Sequence, residues 1–360
     1  MSASILSPSV KRLVKRLGIR HAGRTAVAAV VTQLVVTALN LPQGYWAVIT
    51  AVIVMQANIG GSIRAAWARL LGTGVGAAMG IVAVHFGGVT WPALGLAVFA
   101  TVMVCTAVPF LRESSRVGGI TAVIVLLAGH GNLSALTLGL DRFFEIAVGI
   151  ITALAVSMSF FPSRAGKAVS FGLAKIFQDE AAFFSLMLDG RVQDAYSDRQ
   201  AFVLKDRIVR TIARCRDLRR EANLEGRGGE AAAAHILLLF RAERLFEHLL
   251  AMDHIACEWH GEGLHSQLTG ELAGLRQSVG AVLSALGAHL RKAEALPDLA
   301  ALETAVAGAR EKLSAMRRER APAAYGLSEV MHFFSFMHAM LACAAETAEI
   351  VGRLRTLERE

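Results

Sequence analysis

Five ionisable residues stand in or beside long uncharged stretches of this chain: Arg64, Arg69, Asp141, Arg142 and Glu145. Charge in such surroundings is costly, and where it persists it points to a task. Arg64 and Arg69 follow Gly60, Gly61 and Ser62, while the acidic pair and Arg142 follow Gly131 and Asn132. Glycine-broken backbone in an apolar segment frees N–H and C=O groups that can hold a ligand, and a guanidinium beside it favours an anion such as a carboxylate. The carboxyl groups of Glu145 and Asp141 are suited to exchanging a proton as a carrier cycles, and His85 and His130 have the same chemistry.

Each of these groups also has a plainer reading. If a helix begins near Ser62, Arg69 lies about a turn inside it and either meets an anion or snorkels to headgroups. Arg64, five residues earlier, does not share its face and reads as an orientation anchor. Glu145 stands three residues after Arg142 and four after Asp141, so a local Arg142–Glu145 pair is the alternative to proton exchange. Gly60 and Gly61 either break a helix or cap one, with Ser62 opening the next, and residues 129–132 form either a matching break or an outer loop.

The elements that must position these residues are visible in composition. The 360 residues are 54% hydrophobic and only 18% charged, with a mean hydropathy of +0.48. The long uncharged runs nearly all precede Pro162: about Thr25–Leu41, Tyr45–Ala57, Ala66–Phe86, Trp91–Leu111, Val117–Ala128 and Arg142–Phe161. Several approach the ~20 residues that a helix needs to cross a bilayer, but the second and fifth are too short to cross alone. With the N-terminus inside, the inner segments hold Lys11, Arg12, Lys15, Arg16, Arg20, Arg24, Arg64, Arg69, Arg112, Arg116, Arg164 and Lys167, against Arg142 alone outside. That positive-inside bias calls for an even number of crossings and puts both termini in the cytoplasm.

The expected organisation is a basic segment over residues 1–21, a six-span membrane domain over 22–162 and a cytoplasmic helical domain over 163–360. The basic segment suits anionic headgroups rather than a removed signal peptide. The net charge of +8 requires no nucleic acid, and the four cysteines suit reduced thiols.

A six-letter word, ITAVIV, occurs at Ile49–Val54 and again at Ile120–Val125. Gly60 and Gly131 share the same offset of 71 residues, while Arg69 and Gly76 recur as Arg142 and Gly149 at an offset of 73. A unit of three spans is odd, so its second copy crosses in the opposite sense. The expectation is two inverted three-span repeats, with short glycine-interrupted segments at matching positions that mark a transport site. Gly72, Gly76 and Gly80, four residues apart, suit close helix packing.

The run YWAVITAVIVMQANIGGSIRAAWARLLGTGVGA, Tyr45–Ala77, resembles the fusaric acid resistance family, also described as aromatic acid exporters, with distant likeness to aluminium-activated malate transporters. The resemblance rests on Tyr45, Trp46, Gln56, Gly60, Arg64, Arg69, Gly72, Thr73 and Gly76, and it departs from the family pattern at Ala57, where Pro is common. It implies inner-membrane export of organic, often aromatic, carboxylates. Many members hold two such halves in one chain, so a single half implies a homodimer. The rival readings are passive conduction of anions and a membrane-anchored scaffold that recruits a cytoplasmic partner.

Beyond Pro162, Gly190, residues 226–229, residues 261–263, Pro297 and Pro322 separate helical patterns such as Ala201, Leu204, Ile208, Ile212 and Cys215. Dense mixed charge on the other positions predicts a bundle of antiparallel helices. His254 and Cys257 could share a metal, but no second paired spacing, even with Glu258, His260 and His265, completes a site. The Phe- and Met-rich run Met331–Met340 suits a core or a dimer face. No nucleotide loop or nucleophile motif is present, and no enzyme activity, metal or cofactor is expected.

Overall fold

A computed structural model describes residues 8–128, 135–160, 164–193, 197–225, 230–258, 264–292, 294–319 and 321–358. His130, Gly131, Asn132 and His260 lie outside them, as do the side chains of Cys257 and Glu258. The regular elements are helices, and the chain divides into two compact units, Met1–Ala165 and Gly166–Glu360.

The first unit holds α1 (Pro8–Ala38), α2 (Tyr45–Val54), α3 (Ile59–Gly87), α4 (Trp91–Ala107), α5 (Ser115–Ala128) and α6 (Ala135–Ser159). By length and apolarity, α3 and the Leu136–Ser159 part of α6 can cross a membrane alone, whereas α2 and α4 are shorter apolar helices. The 10 residues of α2 reach only ~15 Å, half of a ~30 Å hydrocarbon core. The short helices are therefore stabilised by neighbours. Large apolar side chains such as Phe86, Trp91, Phe99 and Phe144 face outward, as lipid contact requires.

Side-chain register sets the directions of these helices. On α3, Gly72 meets Ser114 and Val117, Gly76 meets Gly118 and Thr121, and Gly80 meets Ala122 and Val125, so α3 and α5 run parallel. On α6, Glu145 meets Gln43 and Gly149 meets Ala47 and Thr50, so α6 and α2 also run parallel. Gly139 of α6 packs on Ala77 and Ile81, whereas Ile146 and Ile150 cluster with Ala66, so α6 is antiparallel to α3. Thr32 of α1 bonds Thr152 and Arg24 bonds Ser157, making α1 antiparallel to α6. Gly118 of α5 meets Thr101 and Cys105 of α4, while Leu126 clusters with Ala93 and Ala97, so these two are antiparallel as well. Consequently α1, α3 and α5 point one way, and α2, α4 and α6 the other.

The same contacts recur when the first three helices are exchanged for the second three. α3 on α5 corresponds to α6 on α2, α1 on α6 to α4 on α3, and α1 on α2 to α4 on α5. Individual residues follow. Gly76 against Gly118 and Thr121 becomes Gly149 against Ala47 and Thr50, at the offsets of 73 and 71 residues. Both copies of the repeated word bury the same face: Thr50, Ala51 and Val54 in one, Thr121, Ala122 and Val125 in the other.

The second unit holds α7 (Ala165–Gln193), α8 (Asp198–Leu224), α9 (Glu230–Glu258), α10 (Thr269–Lys292), α11 (Ala300–Arg318) and α12 (Leu327–Leu357). α7 is central: Gly172 touches Cys215 of α8, Ser170 bonds His235 of α9, and its Ala174 carbonyl oxygen approaches Gly287 of α10. Phe177, Phe183, Phe184, Phe333 and Phe336 fill the core. Length and composition alone would also let α12 cross a membrane. Its apolar face, including Phe333, Phe336, Met337 and Met340, is buried inside this unit instead, while Met331 is exposed.

Candidate functional site

The chain between α2 and α3 is a four-residue turn that satisfies its own polar groups. Met55 and Asn58 are extended, and the Asn58 side chain accepts from the Gly61 N–H at 2.7 Å, which makes Asn58 the N-cap of α3. The Gln56 N–H donates to Ser62 Oγ at 3.0 Å. Gly60, Gly61 and Ser62 are therefore buried in the first turn of α3. They neither cap α2 nor precede the helix, which starts at Ile59 rather than near Ser62.

That earlier start places Arg69 deeper than the sequence suggests. It lies ten residues beyond Ile59, ~15 Å along the axis, and only 7% of its surface is exposed. Its Nε donates to Thr50 Oγ1 at 3.4 Å, and among the described residues no carboxylate pairs with it. Seven residues, ~10 Å of rise, separate it from Ser62, so Arg69 and the glycine turn are distinct places rather than one pocket. Arg64 is engaged elsewhere: its Nε lies 2.9 and 2.6 Å from the two carboxylate oxygens of Glu113, half-exposed at the turn after α4.

A second polar cluster sits where α6 meets the start of α2. Arg142 and Glu145, both buried, stand 3.7 Å apart between Nη1 and Oε2. Glu145 Oε1 accepts from the Gln43 N–H at 3.0 Å, Arg142 Nη2 donates to Gln43 Oε1 at 2.5 Å, and the guanidinium lies 4.2 Å from the centroid of the Trp46 ring. A cation over an indole face offsets part of the cost of burial. Asp141 is only partly buried, and exposed His85 packs edge-on against Phe86.

Arg24 also is buried, donating to Ser157 Oγ at 2.8 Å, the Ser157 carbonyl at 3.2 Å and the Ala57 carbonyl at 3.3 Å. It ties α1 to the end of α6 and to the turn after α2. The sequence shows Arg24 as one of many inner basic residues and Trp46 only as part of the family pattern, and it does not point to the contacts of Gln43, Trp46 and Thr50 with the arginines. The available signal was the four-residue spacing of Trp46 and Thr50 on α2, just after Gln43, opposite arginines at matching repeat positions.

Comparison with known proteins places these features in context. The family model of the fusaric acid resistance protein family matches residues 18–359. The uncharacterized protein YhfK of Escherichia coli (strain K12) is 37% identical over 83 residues, which is 22% of this chain and 12% of that protein. The chain therefore matches only a small part of that relative's length.

Proposed function

Since the chain belongs to the fusaric acid resistance protein family, and so is a multi-pass membrane transport protein, we propose that it exports small organic, often aromatic, carboxylates across an inner membrane. The observation that carries this reading is Arg69, a buried guanidinium with no carboxylate among the described residues. Such a charge is expensive at membrane depth unless an anion meets it at some stage of a cycle. The six helices of the first unit act as two inverted three-span repeats. Their alternating directions and exchange-related contacts support this arrangement.

In the same reading, both termini and the second unit are cytoplasmic. Export is driven by proton exchange at Glu145, with Asp141 beside it, or by the membrane potential. Gly60, Gly61 and Ser62 in the first turn of α3, with Arg64 beside them, line the substrate path, and so do Gly131 and Asn132, which lie outside the described residues. A homodimer completes the transporter, and the open outward faces at Gly74 and Gly95 leave room for helix contact with a second copy.

The test is export of benzoate from loaded cells or proteoliposomes at matched protein levels. Arg69→Gln should abolish it, and Arg69→Lys should retain part. Near-normal export by Arg69→Gln would reduce this arginine to a structural element.

A further inference from the structure

The Arg142 cluster leaves more donors open than acceptors. Arg142 is 5% and Glu145 2% exposed, yet Arg142 Nε and Nη1, Trp46 Nε1 and Glu145 Oε2 are all buried without a hydrogen-bond partner. The 3.7 Å between Nη1 and Oε2 exceeds a hydrogen bond, so the pair attracts without closing. Leaving a buried donor unsatisfied costs stability, and three such donors lie on two adjoining side chains. A carboxylate, with two oxygens that each accept, is the group such a set recognises, since the open Arg142 Nε and Nη1, on opposite sides of the guanidinium, and the Trp46 Nε1 are all donors.

The matching place in the first three helices strengthens the case. At the offset of 73 residues, Arg69 corresponds to Arg142 and Gly72 corresponds to Glu145. One arginine has an internal carboxylate three residues on; the other has a glycine. Both also address α2: Arg142 covers Trp46, and Arg69 donates to Thr50, four residues later on the same helix. Four residues advance an α-helix by ~6 Å, a little over one turn.

We propose that Arg142, Gln43 and Trp46 form a second carboxylate subsite, about one turn of α2 from Arg69 and Thr50, which Glu145 occupies while no cargo is bound. Cargo accepts from an open donor of Arg142 and from the Trp46 N–H, and Glu145 gives up its hold on the guanidinium. An organic anion thus passes between two arginines along one face of a short helix. The proposal rests on the carboxylate-transport reading, but its test uses binding rather than export.

Benzoate binding is measured by titration calorimetry on the full chain in nanodiscs, with a melting curve for every variant. Glu145→Gln removes the resident charge and should bind benzoate at least tenfold more tightly than wild type. Arg142→Gln should weaken binding at least tenfold. If Glu145→Gln does not fold, Glu145→Asp, which draws the carboxylate back from Arg142, should show a smaller gain. Unchanged or weaker binding by the folded Glu145 variant, as expected if a buried water fills the cluster, overturns the proposal, and so does absence of benzoate binding to both wild type and that variant. Loss of export in Arg69→Gln with no gain in Glu145→Gln sinks the second subsite alone. Normal export in Arg69→Gln with the expected gain sinks the assignment of Arg69.

Discussion

The carbonyl oxygen of Gly118 on α5 lies only 2.2 Å from where a β-carbon on Gly76 of α3 would stand. Helices this close leave no room for a side chain. Gly76→Leu should destabilise the first unit by about 1–3 kcal/mol, the usual cost of overpacking. By contrast Gly74, two residues away, has nothing within 4 Å of its virtual β-carbon, and Gly74→Ala should leave stability unchanged or raised. Thermal melting of both variants in detergent checks the contrast, and equal melting temperatures would refute the packing argument.

Topology is tested by labelling. Arg64 pairs with Glu113, which places the start of α3 and the turn after α4 on one side. Arg64→Cys and Arg116→Cys should react with an impermeant maleimide only from the cytoplasm, and Trp91→Cys only from outside. Outside labelling at position 116 would reverse the inverted-repeat assignment.

In the second unit, Glu346 is nearly buried and is held by Arg241 at 3.0 Å, with Arg244 at 3.6 Å. Arg241→Met removes the nearer partner and leaves most of a buried charge uncompensated. A loss of up to ~3–5 kcal/mol is expected, with part recovered when Glu346→Gln is added. Urea unfolding followed by limited proteolysis measures both, and additive effects of the two changes would rule out their coupling.

The fully buried Glu180 on α7 has no hydrogen-bond partner for either oxygen, and burial, with Asp179 adding to it, pushes its carboxyl well above the ordinary range. The unfolded chain gives up this proton near pH ~4.3 while the folded one keeps it. The stability it contributes is therefore whole below that pH and is lost as pH rises toward the folded value. As pH rises above ~5, the melting temperature should fall less steeply for Glu180→Gln than for wild type. Asp179, raised by burial as well, is present in both proteins, and His235, lowered by burial, acts with the opposite sign at more acid pH. Parallel profiles would show that Glu180 does not retain its proton.

Much of the first unit was legible because lipid and close packing both constrain residue type. The word ITAVIV recurs since each copy must bury Thr, Ala and Val against a glycine of the other half. The depth of Arg69 was not legible. It depended on Asn58 taking the N-cap, which moved the helix start by a turn, and the competing glycine signal was stronger by eye. The role of Trp46 was hidden for another reason: Arg142 reaches it across 96 positions of chain, a contact that no local spacing reveals. In α12, apolarity alone could not distinguish a membrane span from a core helix, because both bury a wide face.

The difference between Gly72 and Glu145 bears on energetics as well as on binding. In an inverted repeat with identical halves, the inward- and outward-open forms are related by a two-fold rotation in the membrane plane and equal in free energy, so an empty carrier would spend half its time in each. Here one half can close glycine against backbone, and the other must accommodate a carboxylate and its arginine. In the proposed carrier that inequality lifts the degeneracy and gives the unloaded protein a preferred side, so the wait for cargo is asymmetric before any gradient is applied.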